Sequence, residues 1–259
     1  MKLQDLFEAS VGSDISFDDE LDLEQTIKLI KKSCSNSIQL IQNDHLIYRG
    51  WKYEDIPPYC LIDPTKTTRK SEGTSNYYTL IFDNHPEMKE YPKRSKSLIC
   101  TTDLWTAKKY SVKQRCTMVI PFDTTKIGIV NKSDIWDVNC KLFNCKLSLE
   151  HLNIVFKKSG ITDNNWDTFK HQLQDDEFKN KFLDILNDYQ HSIGNNSSLY
   201  DNVIEAYSPK NTGFTSCYTA NYNVSGDSEA WIGGKCILIH LRDIEHLDDV
   251  LAGLSKDLK

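Results

Sequence analysis

The chain has 259 residues, with 31 basic against 37 acidic side chains for a formal net charge of −6, 39% apolar residues and 10% aromatics. That length suits one large domain or two small ones, and the aromatic content excludes a disordered chain. No apolar run approaches the roughly 20 residues of a membrane helix, and the acidic balance excludes a global basic footprint for nucleic acid. The start, Met1-Lys2-Leu3-Gln4-Asp5, turns acidic at once and lacks the apolar stretch of a secretory leader. The expectation is therefore a cytoplasmic protein whose eight cysteines are free thiols. No C-x-x-C pair occurs, and Cys140 and Cys145 have no matching Cys or His pair downstream, so no metal site is expected.

In chain order, Asp18–Lys32 reads as a helix, acidic at its start and basic at its end, with Leu21, Leu23, Ile27, Leu29 and Ile30 as its apolar face. His45–Tyr48 reads as a short strand ending at Arg49-Gly50, and Trp51–Tyr78 as a long loop rich in Pro, Thr, Ser, Lys and Asp. Ser97–Thr101 is a second strand, followed by a helix over Asp103–Tyr110 capped by Thr102 or Asp103. Thr117–Pro121 and Lys126–Val130 are strands joined by a turn near Asp123-Thr124. Helical periodicity dominates Ser148–Gln190, after which come a polar connector at Ile193–Ser198, a short helix near Asn202–Tyr207 and a turn at Ser208–Asn211. Ala230–Ile232 and Lys235–Ile239 are late strands flanking Gly233-Gly234, and Asp243–Leu258 is a helical tail. Strands and helices mix without regular βαβ alternation, which places the chain in the α+β class.

The nucleophile elbow, Walker A loop, dinucleotide-binding glycine fingerprint and H-E-x-x-H are all absent. Three stretches carry possible chemistry. Tyr48-Arg49-Gly50 puts at a strand end a guanidinium able to clamp phosphate or carboxylate, beside a glycine that lets backbone come close to a ligand. Lys93-Arg94-Ser95-Lys96-Ser97 leads into Leu98-Ile99-Cys100-Thr101-Thr102, where hydroxyls end a buried strand, with Ala107 and Tyr110 beyond. Those hydroxyls either orient a ligand or cap the next helix. Asp227-Ser228-Glu229 sets two acids at i and i+2, which share a face on an extended chain. Each stretch also has a plain structural reading: an ion pair before a turn, a helix cap, a solvated acidic turn.

Taken in order, the three stretches resemble the Arg–Ser–Glu type of the ADP-ribosyltransferase superfamily, and the layout is similar to the compact transferases of tailed bacteriophages. That family has an aromatic-Arg-Gly ending its first core strand, a strand ending in Ser-Thr-Ser before a helix, and a last (Glu/Gln/Asp)-x-Glu. Cys100 stands where the family usually has its first Ser, a residue that helps hold the catalytic Glu. The resemblance implies a split β-sandwich with flanking helices as a single domain over 1–259. Residues 1–44 would be an N-terminal helical segment and 148–206 a helical insert.

It further implies NAD as the substrate that is cleaved. Glu229 would hydrogen-bond the ribose 2′-hydroxyl beside an oxocarbenium-like transition state, and Asp227 would contact or deprotonate the acceptor. Arg49, with Gly50, would hold the pyrophosphate or the nicotinamide-side ribose. Thr101, Thr102 and Ser97 are the hydroxyls available to order the pocket, and Tyr77 or Tyr78 would stack on nicotinamide. The acceptor would be protein or nucleic acid, and with water in its place the site would be an NAD glycohydrolase. The alternatives are a non-catalytic binding module derived from such an enzyme, or a nucleotide- or DNA-acting enzyme that uses the two acids without NAD. The basic run Arg69-Lys70 and Lys93-Arg94-Lys96, interleaved with Tyr77, Tyr78 and Tyr91, reads as a solvated loop rather than a nucleic-acid strip, given the negative net charge.

Overall fold

The computed structural model describes residues 17–52, 56–69, 76–143, 145–161, 165–188, 198–219, 222, 226–241 and 244–255. Lys70 and the connector at 193–197 lie outside the described residues. The first half of the chain runs β1 (Asp19–Glu20), α1 (Leu23–Ser33), α2 (Ser35–Gln42), β2 (Tyr48–Gly50), β3 (Tyr59–Ile62), α3 (Tyr77–Asn84), β4 (Leu98–Thr101), α4 (Leu104–Lys109), β5 (Cys116–Pro121) and β6 (Lys126–Val130). The second half runs β7 (Asn139–Leu142), β8 (Cys145–Ser148), α5 (Leu149–Ser159), α6 (Trp166–Gln174), α7 (Asp176–Asn187), α8 (Leu199–Ala206), α9 (Pro209–Thr212), β9 (Thr215–Tyr218), β10 (Glu229–Gly233), β11 (Cys236–His240) and α10 (Ile244–Ser255). The fold is α+β. Nine strands form one sheet in the order β1-β3-β11-β5-β2-β4-β10-β6-β9, every pair of it antiparallel, and β7-β8 is a separate hairpin.

Three local expectations change. The first helix begins at Leu23, because Asp22 caps it in a reciprocal capping box with Gln25 and Asp19-Glu20 pairs with β3 instead. The long loop after Trp51 holds the strand Tyr59-Cys60-Leu61-Ile62, and its last two residues, Tyr77 and Tyr78, open α3. The turn at Ser208–Asn211 is the start of α9, with Ser208 as cap and Pro209 in the first turn, where its missing N–H costs nothing. β5 and β6 follow one another in sequence without pairing: β5 lies between β11 and β2, β6 between β10 and β9.

One face of the sheet carries Cys60, Ile62, Leu98, Cys100, Val119, Ile127, Ala230, Ile232, Cys236 and Leu238 in a single hydrophobic cluster. Few helical residues join it, so the sheet covers this face largely with itself. The 3-10 turn Pro64–Lys66 just after β3 touches β10, although β11, β5, β2 and β4 lie between those strands in the sheet, which requires the sheet to curl strongly. The other face is covered by helices in two places. Ile30, Met118, Ile120, Ile237, Ile239 and Val250 pack under α1 and α10. Ile99, Val130 and Trp231 pack with Tyr77, Phe82, Phe156, Phe169 and Phe182 from α3, α5, α6 and α7. The helices between 148 and 206 therefore share their core with the sheet. Between these two apolar patches the face is polar.

Candidate functional site

Antiparallel register decides which candidates meet. Tyr48 lies opposite Thr101, and Thr101 opposite Glu229, so these three share the helix-covered face of β2, β4 and β10. Arg49 lies opposite Thr117, on the other face with Cys100 and Trp51. The sheet thus separates Arg49 from Glu229, contrary to the expected grouping. Arg49 is 4% exposed, its Nη1 donates to the carbonyl of Ile99, and its guanidinium lies 5.5 Å from the centre of the Trp51 ring. Gly50 serves packing: a Cβ there would stand 2.1 Å from the Ala107 carbonyl oxygen, so the close approach that the glycine permits is to α4.

Glu229 is 1% exposed and fully engaged. Its Oε1 accepts from Arg94 Nη1 at 2.6 Å and from Trp231 Nε1 at 2.7 Å, and its Oε2 accepts from the Ile135 amide at 2.8 Å. Arg94 is held in turn by the Tyr78 hydroxyl at 3.3 Å, and its guanidinium lies 5.0 and 4.8 Å from the Tyr78 and Trp231 ring centres. Arg94 belongs to the basic run that reads as a solvated loop. It is instead buried as the counter-ion of Glu229, because the 3-10 turn Arg94–Lys96 before β4 sets its guanidinium against Tyr78 of α3 and Trp231 of β10. The sequence signal for this was an arginine shortly upstream of an apolar strand, with Ser95, Lys96 and Ser97 between them.

Asp227 is the exposed acid of the pair. Thr101 Oγ1 donates to its Oδ1 at 3.0 Å and Thr106 Oγ1 to its Oδ2 at 2.8 Å. Thr102 joins the same loop: its hydroxyl donates to the Gly226 carbonyl at 2.6 Å and accepts from the Ser228 amide at 2.9 Å. The cap of α4 is Asp103, which accepts from the Thr106 amide at 2.6 Å, so the threonine hydroxyls are spent on the acidic loop. Ser97 stands at the far end of β4 and donates to the Lys93 carbonyl. Tyr77 points away into the helices, donating to Asn153 Oδ1 and packing on Phe156 and Phe169, so it has no face free for nicotinamide. Tyr78 lies in the cluster, tilted against Trp136 at 4.5 Å, also buried.

Two further residues belong here. Asp134 is 2% exposed and caps the 3-10 turn Ile135–Asp137, its Oδ1 accepting from the Trp136 amide at 2.9 Å. Burial, then repulsion from Glu229, pushes its carboxyl up to about 7. Burial and the same acids raise the Tyr110 phenol. Arg69, which donates weakly to the Ser97 carbonyl at 3.5 Å, has its charge disfavoured by burial and by Arg94 and Arg49 nearby. Of these guanidiniums Arg94 is the one hydrogen-bonded to Glu229. No group of three or more metal-ligating side chains occurs among the described residues, and no helix there is long and apolar enough to cross a membrane.

Comparison of the chain with protein-family models, curated proteins and solved structures gives no match.

Proposed function

We propose that this protein is an NAD-cleaving enzyme of the ADP-ribosyltransferase type, with protein or nucleic acid as acceptor and NAD hydrolysis as its side reaction. One observation supports the reading: the three motif stretches, far apart in sequence, fall on or beside β2, β4 and β10, which are neighbours at the centre of one strongly curled antiparallel sheet. The geometry moves the working acid from Glu229 to Asp227, because only Asp227 is open to a ligand. Its carboxylate, aimed by Thr101 and Thr106, would stabilise positive charge at the ribose as the glycosidic bond breaks and nicotinamide leaves with the bonding electrons. The acceptor or water then attacks the same carbon, and its proton passes to Asp227 or to bulk water. Glu229 acts behind it, fixing Arg94.

A second reading is favoured by the closure of Glu229. A carboxylate with three donors and no exposure is a structural ion pair, as expected of a binding module that has lost catalysis. Nicotinamide release from NAD decides between them, measured on the wild type beside Asp227→Asn and Glu229→Gln. Release that Asp227→Asn abolishes supports the enzyme. No release together with no NAD binding by calorimetry refutes it.

A further inference from the structure

Asp134 and Glu229 are held by consecutive amides of one 3-10 turn. The Ile135 N–H donates to Glu229 and the Trp136 N–H to Asp134, at 2.8 and 2.9 Å. Both carboxyls are buried, at 2% and 1% exposure. Two carboxylates this close in a dry site do not both ionise. The cation of the cluster is hydrogen-bonded to only one of them: Arg94 lies on Glu229. Asp134 Oδ2 has no partner among the described residues. An ionised oxygen stranded there is costlier than a protonated one.

We propose that Asp134 is a positioning residue that carries the proton of the pair, so that the charge stays on Glu229, Arg94 stays latched to it, and the site loosens when that proton is lost. The groups facing Asp134 are Glu229 from β10, Arg94 from the turn before β4, Asp137 from its own turn and Tyr110 from the end of α4. The Trp136 amide and, after it, Arg94 favour ionisation, and burial with the repulsion from Glu229 outweighs both. The sign follows. The folded protein binds this proton more tightly than the unfolded chain, so its stabilisation is complete in acid and fades as pH rises through about 7. Above that, ionised Asp134 repels Glu229 and competes for Arg94, and the Trp231 indole that donates to Glu229 loses its fixed partner.

Tryptophan fluorescence of the native protein, titrated from about pH 5 to about pH 9, tests this. Trp231 and Trp136 both sit at the pair. The wild type should show a transition centred at about pH 7 that Asp134→Asn lacks. Asn is as good a cap as Asp, so the variant keeps its turn. A transition unchanged in Asp134→Asn belongs to another group and overturns the proposal. Glu229→Gln should lower the midpoint by removing the repulsion and freeing Arg94 for Asp134; an unmoved midpoint also overturns it. The activity arm rests on the NAD-cleaving reading. If nicotinamide is released, the alkaline limb of its pH profile should move up in Asp134→Asn, and an unmoved limb counts against the positioning role. Absence of release from every variant would sink the enzyme reading while the fluorescence result still decided this one.

Discussion

Replacing Arg94 by Met removes one partner of a buried ion pair whose side chains are 7% and 1% exposed and whose N–O distance is 2.6 Å. Methionine fills most of the volume but leaves the Glu229 charge with only the Trp231 indole and the Ile135 amide as donors. Stranding a buried charge costs about 3–5 kcal/mol, and those two surviving donors place this case near about 3. Losing the guanidinium from between the Tyr78 and Trp231 rings adds about 1 kcal/mol. At about 2–4 °C per kcal/mol for a chain of this size, Tm should fall by about 8–16 °C. Urea unfolding of Arg94→Met, Glu229→Gln and the double variant closes a cycle. The double variant should be more stable than the sum of the singles predicts by about 1.5–3 kcal/mol, because each single strands the other's partner. A single variant within about 1 kcal/mol of wild type, or strict additivity, would show that water screens the pair as it does at a surface, and the account of the cluster would fail.

Gly50→Ala should destabilise by about 1–3 kcal/mol in the same unfolding assay, since a Cβ at 2.1 Å from the Ala107 carbonyl forces β2 and α4 apart. Asp227→Asn should change stability by less than about 1 kcal/mol, because Asn still accepts from one threonine and the other hydroxyl can turn to accept its amide. Any loss of NAD cleavage in that variant then comes from chemistry rather than unfolding. Thiol labelling of the native protein should find Cys217 first: it is half-buried, while the other seven cysteines are buried and Cys34, Cys60, Cys100 and Cys140 are pushed up to about 12 by burial. Tyr77→Phe should cost about 0.5–1.5 kcal/mol through the lost Asn153 bond and leave any NAD cleavage intact.

Much of the local structure was legible in the sequence, because it rests on local causes. Apolar period and capping residues placed α4, α8 and the helices from 149 to 187 close to where they stand. The short runs at 98–101, 116–121, 126–130 and 236–240 were readable as strands from their β-branched and apolar content. The strand at 59–62 was hidden because four apolar residues between prolines, three of them buried, carry no period. What sequence could not supply was parity. Whether Arg49 faces Glu229 depends on the pairing of β2 with β4 and of β4 with β10, and one residue of slip would reverse it. Nor could it supply partners across long gaps: that Arg94 is the counter-ion of Glu229, or that Asp134 shares a turn with it, follows only once β10 slots between β4 and β6. The sequence by itself determined the class of the fold, most of its elements and the acidic pair in the order Asp227, Glu229. Tertiary structure alone decided which of the two acids meets water, because exposure is a property of what packs above a side chain and not of its place in the chain.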